Sequence, residues 1–110
     1  MTDRELLEAA AKAVGIYLEW DGPPEMWVPI RYLGKTYVSW NPLEDDGDAL
    51  RLAVKLQLGM ELYGAGATVK GCHELAHGDS YAATRRAIVR AAAAIGGASA
   101  ATCRSETSYD

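Results

Sequence analysis

The chain has 110 residues, 49% hydrophobic and 24% charged, the balance of one soluble globular domain with little room for a second. Its formal charge of −4 and pI near 5.1 argue against nucleic acid as a partner, because phosphate binding needs clustered Lys and Arg. No run approaches the ~18 apolar residues of a membrane span. The N-terminus lacks the basic start and apolar core of a secretory signal, so a cytoplasmic location is expected.

Thr2-Asp3-Arg4-Glu5 has the spacing of a capping box. Leu6, Leu7, Ala10 and Val14 then recur at helical spacing until Gly15, which predicts a helix over residues 3–14. Residues 16–20 read as a short strand ended by the turn "DGPP". Met26, Val28, Ile30 and Tyr32 alternate with Trp27, Pro29, Arg31 and Leu33, the pattern of a strand with two distinct faces. Pro29 cannot donate a ladder hydrogen bond, which predicts a strand near an edge or a bulge. Gly34-Lys35 then turns the chain into residues 36–40, completing a hairpin.

The acidic stretch "LEDDGDAL" leads into a second helix. Its carboxylates complement the helix dipole, and it lacks the residue order of an EF-hand loop. Leu50, Ala53, Val54, Leu56 and Leu58 occupy much of that helix's circumference, which predicts a well-buried element. Residues 60–63 and 67–75 read as a second strand pair around Gly64-Ala65-Gly66. A third helix starts at Asp79 or Ser80, with Tyr81, Ile88, Ala91, Ala92 and Ile95 on one side and Arg85, Arg86 and Arg90 directed to solvent. The expected architecture is α+β, an α-β-α sandwich in the order αβββαββα with three helices and a mainly antiparallel sheet. It comprises one domain over residues 1–96, followed by a disordered tail over 97–110. Cys72 and Cys103 do not make a disulfide framework, and two free thiols are expected.

One motif invites an enzymatic reading. His73-Glu74-Leu75-Ala76-His77 spells H-E-x-x-H, in which two imidazoles one helical turn apart hold zinc and the glutamate activates water. That chemistry needs a helix through residues 73–77. Gly64, Gly66, Gly71 and Gly78 crowd the region, and each interior glycine costs a helix about 1 kcal/mol relative to alanine. Read as a strand, His73, Leu75 and His77 share one face and need no metal. A zinc hydrolase using His73, Glu74 and His77 therefore stands as the alternative to a non-enzymatic protein without a cofactor.

Six of the nine aromatic residues fall between positions 17 and 40. Helices are expected to cover both faces of that sheet. Should a Trp and a Tyr remain exposed together, the patch would be the best protein-binding candidate, with Trp20, Trp27, Tyr37 and Trp40 as its residues.

"SWNPLEDDGDALRLAVKLQL" (39–58) and "HGDSYAATRRAIVRAAAAIG" (77–96), with "ELLEAAAKAVGI" (5–16), resemble the phage ABA sandwich domain family of small phage and prophage proteins. The resemblance implies the layered fold and a viral origin, and carries no catalytic residues. The expected function is a phage or prophage accessory protein that binds a host or phage protein, an anti-CRISPR-like inhibitor of host defence being one form. A phage structural or assembly component is a further alternative, for which a homo-oligomer is expected.

Overall fold

A computed structural model of the chain describes residues 2–23 and 27–97. The order is α1 (Asp3–Val14), β1 (Leu18–Asp21), β2 (Val28–Leu33), β3 (Thr36–Ser39), α2 (Asp46–Leu56), β4 (Met60–Tyr63), β5 (Gly66–Val69), β6 (Cys72–Leu75) and α3 (Ser80–Ile95). The fold is α+β, with two antiparallel three-stranded sheets, β1-β2-β3 and β4-β5-β6. Six strands appear where five are expected, because residues 67–75 do not run straight. Lys70 adopts φ 46° and Gly71 φ 85°, and this left-handed pair folds the segment into the β5–β6 hairpin. The expected tail from residue 98 onward, Met26 and Cys103 lie outside the described residues.

The helix ends follow local chemistry. The Thr2 hydroxyl accepts from the Glu5 amide at 3.1 Å, and the Glu5 carboxylate accepts from the Thr2 amide at 2.8 Å. Those bonds favour the charged form of Glu5 and lower its pKa, the Thr2 backbone contributing most. Gly15, at φ 76°, closes α1 with a left-handed cap. Asp45 caps α2 through the Asp48 amide at 2.8 Å, and Asp79 caps α3 through the Ala82 amide at 3.0 Å.

Helix α3 is the hub, packed on α1, on α2 and on strands β5 and β6. The contact with α1 is built from small residues: Ala10, Ala92 and Ala93 are fully buried, and Gly96 lies against the Ala9 carbonyl. Helix α2 is less buried than its sequence predicts. Ala49, Leu52 and Ala53 enter the core, while Leu50 and Val54 are exposed. The apolar residues encircle α2, but only the side turned to α3 and α1 finds a partner.

Strand β2 is the centre of its sheet and not an edge. Pro29 is accommodated because it sits near the start of β2, opposite Trp40, just past the end of β3. Its carbonyl accepts from the Trp40 amide at 3.2 Å, and the missing N–H interrupts only this terminal pair.

Two further expectations are corrected. Arg85, Arg86 and Arg90 do not form a solvated face: they pair with Asp46 at 2.7 Å, Asp3 at 2.8 Å and Glu74 respectively. Arg90 is 7% exposed, its charge carried into the protein to meet a carboxylate on β6. Cys72 is fully buried and disulfide-bonded, so the expectation of free thiols fails at this position. A low cysteine count does not by itself keep a thiol reduced.

Candidate functional site

The H-E-x-x-H residues do not form a metal-binding helix. His73 and Glu74 belong to β6, where successive side chains point to opposite faces, and His77 occupies a turn at φ 47°. The His73 Nδ1 hydrogen-bonds the Thr68 hydroxyl across the β5–β6 pair at 2.9 Å. Glu74 faces α3 and is held by Arg90, whose Nη1 also donates to the His73 carbonyl at 3.1 Å. The glutamate is committed to a structural ion pair. The two histidines lack the one-turn helical spacing that zinc capture would use. Among the described residues, no three His, Cys, Asp or Glu side chains converge as a metal cluster.

The acidic loop also serves structure. Asp45 caps α2, Asp46 pairs with Arg85, and Asp48 accepts from the Asn41 amide at 2.9 Å and from Arg51 at 2.7 Å. Each of the three carboxylates has a partner within the fold.

The aromatic residues divide between the two faces of the β1-β2-β3 sheet. Register fixes the division, because Trp20 opposes Pro29, Arg31 opposes Val38, and Tyr32 opposes Tyr37. Leu18, Trp20, Pro29, Arg31 and Val38 share the face turned toward the helices. Trp40, 4% exposed, continues that face into the core and has no surface to offer a partner. Trp20 and Trp27 lie against α1, with the Arg4 guanidinium 5.0 Å and 4.0 Å from their ring centres. The Trp20 indole also donates to Glu8 at 3.1 Å.

Tyr37 points the other way. Its ring packs against that of Tyr32 in a tilted pair, 5.2 Å between centres, and Glu19, Val28 and Ile30 share this outer face by register. Tyr17, two residues before Glu19 and 73% exposed, extends the same surface. The Glu19 carboxylate raises the Tyr37 pKa, since a phenolate would form beside an existing negative charge. Among the described residues no helix covers this face, contrary to the expectation that both faces are enclosed. The helices pack on one another and on the second sheet instead.

The structure thus separates the four aromatic residues singled out in the sequence. Trp20 and Trp27 clasp Arg4, Trp40 is core, and Tyr37 joins Tyr17 and Tyr32. Strand alternation could have identified Tyr32 as the companion of Tyr37, but not which face stays open. A second apolar surface lies between α2, β4 and α3, a groove of about 400 Å³ beside Leu50, Met60, Leu62 and Tyr81. No family model matches the chain, and no curated protein and no solved structure matches it either.

Proposed function

We propose that the protein is a protein-binding module that engages its partner through the open face bearing Tyr17, Tyr32 and Tyr37. The uncovered tyrosine cluster carries this reading. Tyrosine offers a large apolar ring and a hydroxyl at small entropic cost, and it is enriched among residues that dominate binding energy. A partner suited to the face has an apolar patch with a Lys or Arg placed to meet Glu19. The resemblance to phage and prophage proteins makes a host or phage protein the proposed partner, and inhibition of host defence a form the binding can take.

Affinity capture from the host tests the proposal, using the wild-type chain and a Tyr17→Ala/Tyr37→Ala variant. Both residues are about half exposed or more, so the variant retains its core. A protein held by the wild type and at least tenfold depleted with the variant supports the reading. Equal retention by both proteins, or capture of nothing, overturns it.

A further inference from the structure

Cys72 has no exposed surface and is bonded in a disulfide. The sequence offers one other cysteine, Cys103, which lies six residues beyond Gly97. Alternation along β6 puts Cys72 on the same face as Glu74, the face turned to α3. It belongs there to one apolar cluster with Val69 and Val89, both fully buried. A second copy could not bring a cysteine to this sulfur without opening the core, so the partner comes from the same chain. The turn at His77-Gly78 sends α3 back over β6, and Arg90 meets Glu74 and the His73 carbonyl. Helix rise carries the chain about 10 Å onward from Arg90 to Gly97. Six further residues span up to ~20 Å, so Cys103 can return from the end of α3 to the first residue of β6.

We propose that Cys103 is the partner of Cys72, and that their bond is a redox-controlled clamp fastening the C-terminal segment to the seam between α3 and β6. Closing the clamp takes two protons and two electrons from the thiols, and a small disulfide of the glutathione class accepts them. The Cys103 thiolate attacks that disulfide and releases one small thiol. Cys72 then displaces the second, leaving the protein disulfide. Reduction runs in reverse: a small thiolate attacks the Cys103 sulfur, and Cys72 leaves and takes up a proton in its apolar surroundings. The order follows from burial, since a reagent cannot reach Cys72 directly. The closed loop takes in β6 and all of α3, the hub helix. Oxidised and reduced forms therefore differ in whether residues 98–110 are tied to the core or free to engage something else.

Equilibrating the full chain in glutathione buffers of graded oxidation, then digesting it unreduced with trypsin, tests the assignment. The expected product is a cross-linked pair of peptides, residues 71–85 and 91–104, two hydrogens lighter than the separate thiol forms. Its fraction should rise with the ratio of glutathione disulfide to the square of glutathione, as a two-electron couple requires. Carboxypeptidase trimming gives the second readout. It should halt at Cys103 in the oxidised protein, and pass that point at least tenfold faster in the reduced protein and in Cys103→Ser. Reduction of the wild type gives the same comparison without a substitution. The proposal is overturned if Cys72 is found joined to glutathione or to a second copy. It is equally overturned if the cross-link ignores the buffer, or if trimming passes residue 103 at the same rate in both forms.

Discussion

Arg90 on α3 and Glu74 on β6 form an ion pair at the seam between helix and sheet, with side chains only 8% and 20% exposed. The relationship changes the meaning of Glu74. In a zinc hydrolase that residue would be the base, and its replacement would abolish turnover. Here its replacement takes the carboxylate away from a buried guanidinium that keeps its bond to the His73 carbonyl.

Glu74→Ala should therefore cost about 3 kcal/mol of stability, the order found when one partner of a buried pair is removed. Urea unfolding followed by circular dichroism measures it. The double replacement Arg90→Met/Glu74→Leu should recover most of the loss, because an apolar pair carries no unpaired charge. If Glu74→Ala is as stable as the wild type, the pair has no structural weight.

Tyr37 and Tyr63 should ionise later than an ordinary tyrosine, near pH 10. The charge of Glu19 is the main cause for Tyr37, and a hydrogen bond to the Glu61 carboxylate, 3.1 Å away, for Tyr63. A pKa raised in the folded state favours folding at pH values below the unfolded value. That contribution is lost as pH rises through the folded pKa. Alkaline titration of phenolate absorbance, compared with Glu19→Gln, should show one tyrosine returning toward its ordinary range.

Gly96 is required by proximity and not by backbone conformation. Its φ of −77° is open to any residue, but a methyl group there would collide with the Ala9 carbonyl. Gly96→Ala should push α3 from α1 and cost roughly 1–3 kcal/mol, the range for overpacking a tight contact. Thermal unfolding measures it, with Gly59→Ala as a control where the added methyl meets nothing.

Cys72 should resist alkylation in the native, unreduced protein and become reactive after reduction and unfolding. Loss of a native disulfide from a small domain costs roughly 2–5 kcal/mol, so reductant should lower the midpoint of thermal unfolding. Intact mass after iodoacetamide treatment, with and without reductant, reads the labelling directly.

The elements legible in the sequence are those decided within a few residues. The Thr2–Glu5 box, the Gly15 stop and the Asp79 cap each follow from one turn of chain. Failures come where distant contacts decide. The Lys70-Gly71 turn is hard to see because a lysine in left-handed conformation leaves no compositional mark. Arg90 reads as solvent-facing until β6 brings Glu74 beneath it. Pro29 reads as an edge residue because the local rule cannot know how far β3 extends. For the candidate site, alternation places Tyr32 and Tyr37 on one face, but helix packing decides that the face stays open.

The Arg90 hydrogen bond to the His73 carbonyl bears on how the protein behaves at high concentration. The β4-β5-β6 sheet has two margins, and the bonds from Lys70 to Gly59 and from Ala76 to Ala65 set the alternation of its backbone groups. By that alternation the His73 carbonyl faces outward from β6, where Arg90 occupies it before a foreign strand can. On β4 the outward groups belong to Met60 and Leu62, both of them exposed. Aggregation by strand addition to this sheet thus has a preferred direction. A lysine at position 62 would serve as a gatekeeper on the side that no described residue guards.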